Sequence, residues 1–170
     1  MDTLEAIRTR RSVRRYTADP VAEEHVRVLL EAAMLAPSAA NQQAWHFVVI
    51  DEREILDRIP DFHPYCAFLR EAPLGVAVCG DLRRERFNGM FWVQDAAAAT
   101  QNLLLAARAL DLGTCWLAVY PIEERVQGLR KLLRLPSHLV PLNVVSLGHP
   151  AEPARDAQRY DPARVTRNRW

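Results

Sequence analysis

Residues 91–110, "FWVQDAAAATQNLLLAARAL", run for twenty residues without a glycine or proline. Alanine and leucine dominate the stretch, and both favour helix strongly. The segment is therefore predicted as a helix about 30 Å long. Because it is apolar on nearly every side, it needs cover from more than one direction and should lie inside the fold. That need limits the rest of the chain to elements layered around it, and Gly113 is the expected C-terminal cap.

Four segments qualify as strands: "WHFVVID", "LGVAVCG", "GTCWLAVY" and "LVPLNVVSLG". Each is short, rich in β-branched or aromatic residues and bounded by turn-forming residues. Helical patterns lie between them. "MDTLEAIRTR" opens with Asp2 and Glu5 in capping-box spacing. In "AEEHVRVLLEAAMLA", residues Val26, Leu29, Leu30, Ala33 and Met34 fall on one helical face, and Pro37 ends the pattern. "EREILDRI" and "IEERVQGLRKLL" complete the set. Strands alternating with helices indicate a layered α/β or α+β domain. At 170 residues one domain, spanning 1–170, is the simplest organisation. Beyond Gly148 the composition turns polar, so residues from about 149 to 170 are expected to form an arm lying on another surface.

Composition removes several classes of function. A net charge of +1 gives no overall field to gather nucleic acid. No apolar run approaches the roughly 18 residues of a membrane span. Asp2 and Glu5 interrupt any leader-like N-terminus. Cys66, Cys79 and Cys115 are scattered and odd in number, which suits a reduced cytoplasm, and Cys79 and Cys115, in apolar runs, read as small core residues. The sequence has no GxGxxG loop, Walker A loop, HExxH or GxSxG, and its five histidines lack metal-ligand spacing. Difficult chemistry in such a chain would belong to a bound cofactor.

Against this neutral background, "RTRRSVRRY" at residues 8–16 concentrates five arginines. In an extended segment Arg10, Ser12 and Arg14 share one side, while Arg11, Val13 and Arg15 share the other. Two guanidinium forks around a hydroxyl can hold phosphate oxygens; a solvated, salt-bridged turn is the bland alternative. The loop "PSAANQQAWHF" offers small residues for close approach to a flat ligand, together with Ser38, Asn41 and Gln43 as polar partners. It could equally be a surface loop that caps itself.

"RRSVRRY", "PSAANQQAWHF", "QDAAAATQNLLLAARALDLGTCWL" and "LVPLNVVSLGHPAE" occur in that order. Together they resemble the nitroreductase superfamily of FMN-dependent NAD(P)H oxidoreductases in its short, single-domain form, over about residues 4–160. The resemblance implies an α+β fold with a central, mainly antiparallel mixed sheet of four to five strands flanked by helices. It also implies a C-terminal arm crossing to a dimer partner. Arg10, Ser12 and Arg14 match the N-terminal FMN clasp, with Arg11 helping through its backbone. Arg14 takes the place of the basic residue near the flavin N1 and O2 edge, an electrostatic stabiliser. Pro37, Ser38, Ala39, Asn41 and Gln43 match the loop supplied by the other subunit.

Trp116, Leu117 and Ala118 lie on the strand that passes flavin N5 in relatives. Arg159 is the best match to a phosphate-contacting residue, with Arg155 second. Ala44 stands where many relatives have proline. Leu117 and Ala118 replace an acidic residue and glycine, which restricts the N5 contact to backbone. Tyr65 and Phe68 are candidates to line a more apolar substrate pocket.

The implied activity takes hydride from NADH or NADPH onto flavin N5. A ping-pong cycle then passes it to nitroaromatics, quinones or other small electrophiles, with no protein residue acting as catalytic acid or base and no metal. The implied assembly is a cytoplasmic homodimer with FMN between subunits, using neither nucleic acid nor membrane. Val93, Ala97, Gln101, Leu104 and Arg108 form one candidate interface stripe. The alternatives are a non-catalytic FMN-binding sensor or storage protein, and a phosphate- or nucleic-acid-binding protein using the arginines alone.

Overall fold

The computed structural model describes residues 1–153 and 157–170. The elements in chain order are α1 (Thr3–Thr9), α2 (Glu23–Met34), β1 (Trp45–Ile50), α3 (Arg53–Arg58), β2 (Leu74–Asp81), α4 (Trp92–Ala109), β3 (Gly113–Ala118), α5 (Glu123–Leu132) and β4 (Leu139–Gly148). The strands form one sheet in the order β1-β2-β4-β3, and every ladder is antiparallel. This is the α+β, mainly antiparallel architecture implied by the resemblance. A parallel contact comes from the arginine segment, where Ser12 makes a bridge to Thr114.

The sheet is covered on both faces because its central strands are predominantly apolar, with Asp81, Asn143 and Ser146 as buried polar exceptions, and all of β2 is buried. Side chains alternate, so Val76, Val78, Val145 and Leu147 join α2 and α4 in one core. Ala77, Val144, Cys115 and Leu117 face the other way, against Leu56, Ile59, Leu69, Val126 and Leu129. Pro141 sits in the interior strand β4, where it cannot donate to a ladder. The β2–β4 register shifts between Val78 and Cys79, and Cys79 is the residue opposite Pro141.

α4 crosses one face of the sheet with Trp92, Ala96, Ala99, Leu103 and Ala107 buried. Its opposite side is not closed by the same chain: Gln94, Gln101 and Ala109 are exposed, and Ala98 and Leu105 are half-buried. The expected interface stripe therefore needs one correction. Leu104 is already buried in the first core, whereas Val93, Ala97 and Arg108 are half-buried and Gln101 is exposed.

The helix ends at Leu110 rather than at Gly113, and Asp111 takes the left-handed conformation with φ 57°. Gly113 is instead the first residue of β3, and a Cβ there would come within 2.8 Å of Val13. On α2, Val26, Leu29 and Ala33 are buried as expected, but Leu30 is half-buried and Met34 is exposed. The expected face is one residue too wide at its C-terminal end. Asp2 caps α1 by accepting the Glu5 amide at 2.9 Å. The described residues after Gly148 are almost all exposed and carry one short turn, Pro162–Arg164. All three cysteines are free and buried, and among the described residues no helix is long and apolar enough to cross a membrane.

Candidate functional site

The arginine segment is held beside β3 by its backbone and by its apolar side chains. The Val13 amide donates to Thr114 O at 2.9 Å, and Val13 packs on Gly113 and the second core. Tyr16 is buried; its hydroxyl lies 2.7 Å from Val13 O, to which it donates, and 2.6 Å from Ser146 Oγ. Burial pushes the phenol far above its ordinary range, against the opposing effects of the Ser146 hydrogen bond and the Arg14 charge. At the far end Thr17 N–H donates to His149 O and Ala151 N–H donates to Arg15 O. Segment 12–17 is thereby fixed between β3 and the chain leaving β4.

This anchoring leaves the polar side chains facing outward. Arg11, Ser12, Arg14 and Arg159 line a cleft of about 530 Å³, with Arg15 and Glu152 at its wall. Arg10 lines the adjoining cleft of about 420 Å³, which Arg11 also borders. The expected clasp of Arg10, Ser12 and Arg14 is therefore divided between two neighbouring clefts. A regular strand would have placed all three on one side, but this segment makes only an isolated bridge.

Half-buried Arg10 has its pKa lowered by desolvation first, then by the charges of Arg159 and Arg11. Among the described residues, no carboxylate pairs with Arg10 or Arg159, and the nearby Glu152 is engaged by Arg15 at 2.7 Å. Neighbouring guanidinium groups without counter-charge form a site suited to an anion. Arg155, the second candidate, lies outside the described residues.

The loop at 37–43 lies at the other edge of the sheet, leading into β1. Its turn, Ala39–Asn41, places Ala40, Asn41 and Gln43 at positive φ. Ser38 Oγ accepts the Gln43 amide at 2.9 Å, and Gln43 Nε2 donates to Asn41 Oδ1 at 3.3 Å. Asp95, buried in the first turn of α4, accepts the Ala39 amide at 2.9 Å. Gln42 accepts the Arg86 amide at 2.6 Å, tying the loop to the turn after β2. Asp95 and Gln42 were missed by sequence reasoning, although an acid within an otherwise apolar helix was a visible signal.

β2 and β4 stand between the loop's strand and the strand beside the arginines. Three strand spacings separate the two edges by about 14 Å. The two groups of candidate residues are thus not brought together within one chain.

Near the C-terminal end of β3, Trp116 is half-buried toward α4 and Ala118 is exposed. Leu117 points into the second core, so its side chain is unavailable to a ligand; the alternation of Cys115, Leu117 and Val119 accounts for this. Ala118 O accepts from Arg125 Nη1 at 3.0 Å and lies 3.0 Å from Nε2 of buried His63. Burial, then the Arg125 charge, hold the His63 pKa below 6.5. Phe68 lies beneath the Arg14 guanidinium, 5.9 Å from ring centre to Cζ, and exposed Tyr65 lies 5.7 Å from Arg125 Cζ. Arg125 and His63 were not among the expected site residues, because their approach to Ala118 depends on tertiary packing.

Residues 7–63 and 61–149 match the family model described as "Nitroreductase family". The chain belongs to the nitroreductase family. A family relative from Methanothermobacter thermautotrophicus, "Putative NADH dehydrogenase/NAD(P)H nitroreductase", is 47% identical over 170 residues, covering 100% of this chain and 88% of its own. A crystal structure described as "Putative NADH Oxidase" from Clostridium acetobutylicum superposes with a TM-score of 0.93 at 40% identity, covering 97% of this chain and 99% of the other. A Desulfovibrio desulfuricans protein, described as "a putative nitroreductase in complex with fmn", superposes at 0.85 with 34% identity, covering 100% and 98%. Within this nitroreductase fold, the arginine cleft, the β3 terminus and the aromatic residues 65 and 68 lie on one side of the sheet edge formed by β3. The polar loop occupies the opposite edge.

Proposed function

We propose that the chain is an FMN-dependent oxidoreductase that uses NAD(P)H to reduce small electrophiles, acting as a homodimer with one site at each subunit junction. The supporting observation is the cationic cluster of Arg10 and Arg159 beside Ser12, with no carboxylate paired to either arginine among the described residues, in a fold shared with an FMN-bound relative. The residues present fit the cofactor. The half-buried Arg10, with no carboxylate partner among the described residues, suits a phosphate dianion, and the half-buried indole of Trp116 offers a flat apolar surface.

Bound FMN supplies a two-electron carrier that accepts hydride from NADH or NADPH at N5 and passes it on in a ping-pong alternation. The protein's part is binding, orientation and charge. Arg10, Arg11, Ser12 and Arg159 hold the phosphate. Arg14, braced on Phe68, places a fixed positive charge beside the ring edge where negative charge develops. The backbone of Leu117 and Ala118 would be turned to the flavin's reacting edge, and Tyr65 and Phe68 would line the acceptor pocket.

Pro37, Ser38, Ala39, Asn41 and Gln43 reach the cofactor from the partner copy, a reading supported by their position at the β1 edge, about 14 Å across the sheet from β3, beyond which the arginines of their own chain lie. The exposed face of α4, with Gln101 at its centre, joins the two copies, and the arm after 149 lies along the partner. Residues 1–170 act as one domain in a reduced cytoplasm.

Purified protein is expected to be yellow, to hold about one FMN per chain and to elute as a dimer. Its flavin absorbance should bleach on addition of NADH or NADPH. Protein that neither retains nor binds added FMN would overturn the reading, and flavin that neither nicotinamide bleaches would leave the sensor alternative. Arg14→Ala should lower both FMN retention and the flavin potential; unchanged values would remove Arg14 from the site.

A further inference from the structure

We propose that Arg125 is a specificity-determining residue, selecting flat acceptors that carry a carboxylate. The inference rests on the proposed function and names the acceptor class. Arg125 stands in the first turn of α5 and is half-buried. Two contacts fix its head: the Nη1 donation to Ala118 O at 3.0 Å, and the Tyr65 ring 5.7 Å from Cζ. Neither contact carries a counter-charge, and among the described residues no carboxylate pairs with this guanidinium.

Its acidic neighbours on α5 do not supply that charge. Glu123 accepts Gln127 Nε2 at 2.7 Å, and Glu124 is exposed without an ion pair among the described residues. Other N–H donors of the planar fork remain for a planar anion, the geometry that a carboxylate matches. His63, the other ring at Ala118, has its pKa depressed by burial and by the Arg125 charge itself. Arg125 is thus a fixed cation at this end of β3, bound to the strand through Ala118 O, whereas Arg14 rests on Phe68.

Position separates this cation from the phosphate cluster. Ser12 bridges Thr114 at the start of β3, whereas Arg125 binds Ala118 at its end, about 13 Å farther along the strand. The aromatic residues Tyr65 and Phe68 accompany Arg125 and Arg14 there. A ring resting among these side chains, with a carboxylate directed to Arg125, satisfies both the apolar and the charged parts of the surface.

The test uses FMN-loaded protein with 4-nitrobenzoate and its neutral counterpart 4-nitrobenzamide. The ratio of their kcat/KM values should favour the carboxylate and fall about tenfold or more in Arg125→Ala, the scale of a lost charge-assisted hydrogen bond. Benzoate affinity for the oxidised holoprotein, measured by calorimetry without turnover, should fall by a similar factor. Arg125→Gln, which keeps a polar stem but no charge, should reproduce the loss if the alanine variant folds poorly. An unchanged ratio, equal losses on both acceptors, or an effect confined to reduction by NADH or NADPH would overturn the assignment. Holoprotein bleached by NADH yet indifferent to acceptor charge overturns this inference alone. Protein unable to hold FMN overturns the proposed function as well.

Discussion

The arginine segment beside β3 and the polar loop before β1 both present potential ligand groups at a sheet edge, but they are built in opposite ways. In the first, apolar packing does the holding: half-buried Val13 and buried Tyr16 anchor the chain, leaving Ser12 and Arg14 exposed. In the second, the polar side chains hold one another, and Ser38, Asn41 and Gln43 use hydrogen-bonding capacity within the loop itself. The difference separates charge from shape. The segment offers guanidinium groups on a rigid rail, whereas the loop offers backbone in an unusual conformation.

The largest expected effect comes from displacing that rail. Gly113→Val puts a side chain where Val13 packs, and overpacking of this kind costs about 1–3 kcal/mol. A lowered denaturation midpoint should accompany weaker phosphate binding. Loss of stability with unaltered anion affinity would show that the arginines do not depend on their anchor.

Tyr16→Phe is milder in shape but leaves Val13 O and Ser146 Oγ without the hydroxyl. It should cost about 1–2 kcal/mol in denaturant unfolding; a neutral result would show that buried water or Ser146 replaces the bond. On the loop side, Asp95→Leu removes the acceptor of the Ala39 amide. Hydrogen exchange at that amide should quicken about tenfold, as expected for a lost bond of about 1.4 kcal/mol, while segment 12–17 keeps its protection. The smallest effect belongs to Arg15→Ala, whose exposed pair with Glu152 should contribute no more than about 1 kcal/mol.

Much of this organisation was legible in the sequence wherever local pattern and tertiary demand agree. The four strands and the breaker-free helix are such cases, and so is the Asp2 cap. Agreement fails at boundaries. Asp111 and Gly113 were both able to end α4, and the strand needed Gly113 for its contact with Val13. Met34 fits the periodicity of α2 but lies at the end of the helix, where the cover stops.

At the site, the arginines and the loop were visible as composition. Their separation on opposite edges was not, because strand order is not written in any local run. Leu117 was readable from alternation alone. Arg125 was not, since nothing within α5 indicates that its first turn meets Ala118 and Tyr65.

The paired contacts of residues 15–17 with 149–151 have a consequence for synthesis. The arginines leave the ribosome more than a hundred residues ahead of the partner that holds their far end. At typical elongation rates that interval is on the order of ten seconds. For most of it the nascent chain carries a dense patch of positive charge with neither β3 nor β4 yet made to receive it. The arginine segment is therefore fixed at its far end only after the whole sheet has been made, although its charges precede every strand of that sheet.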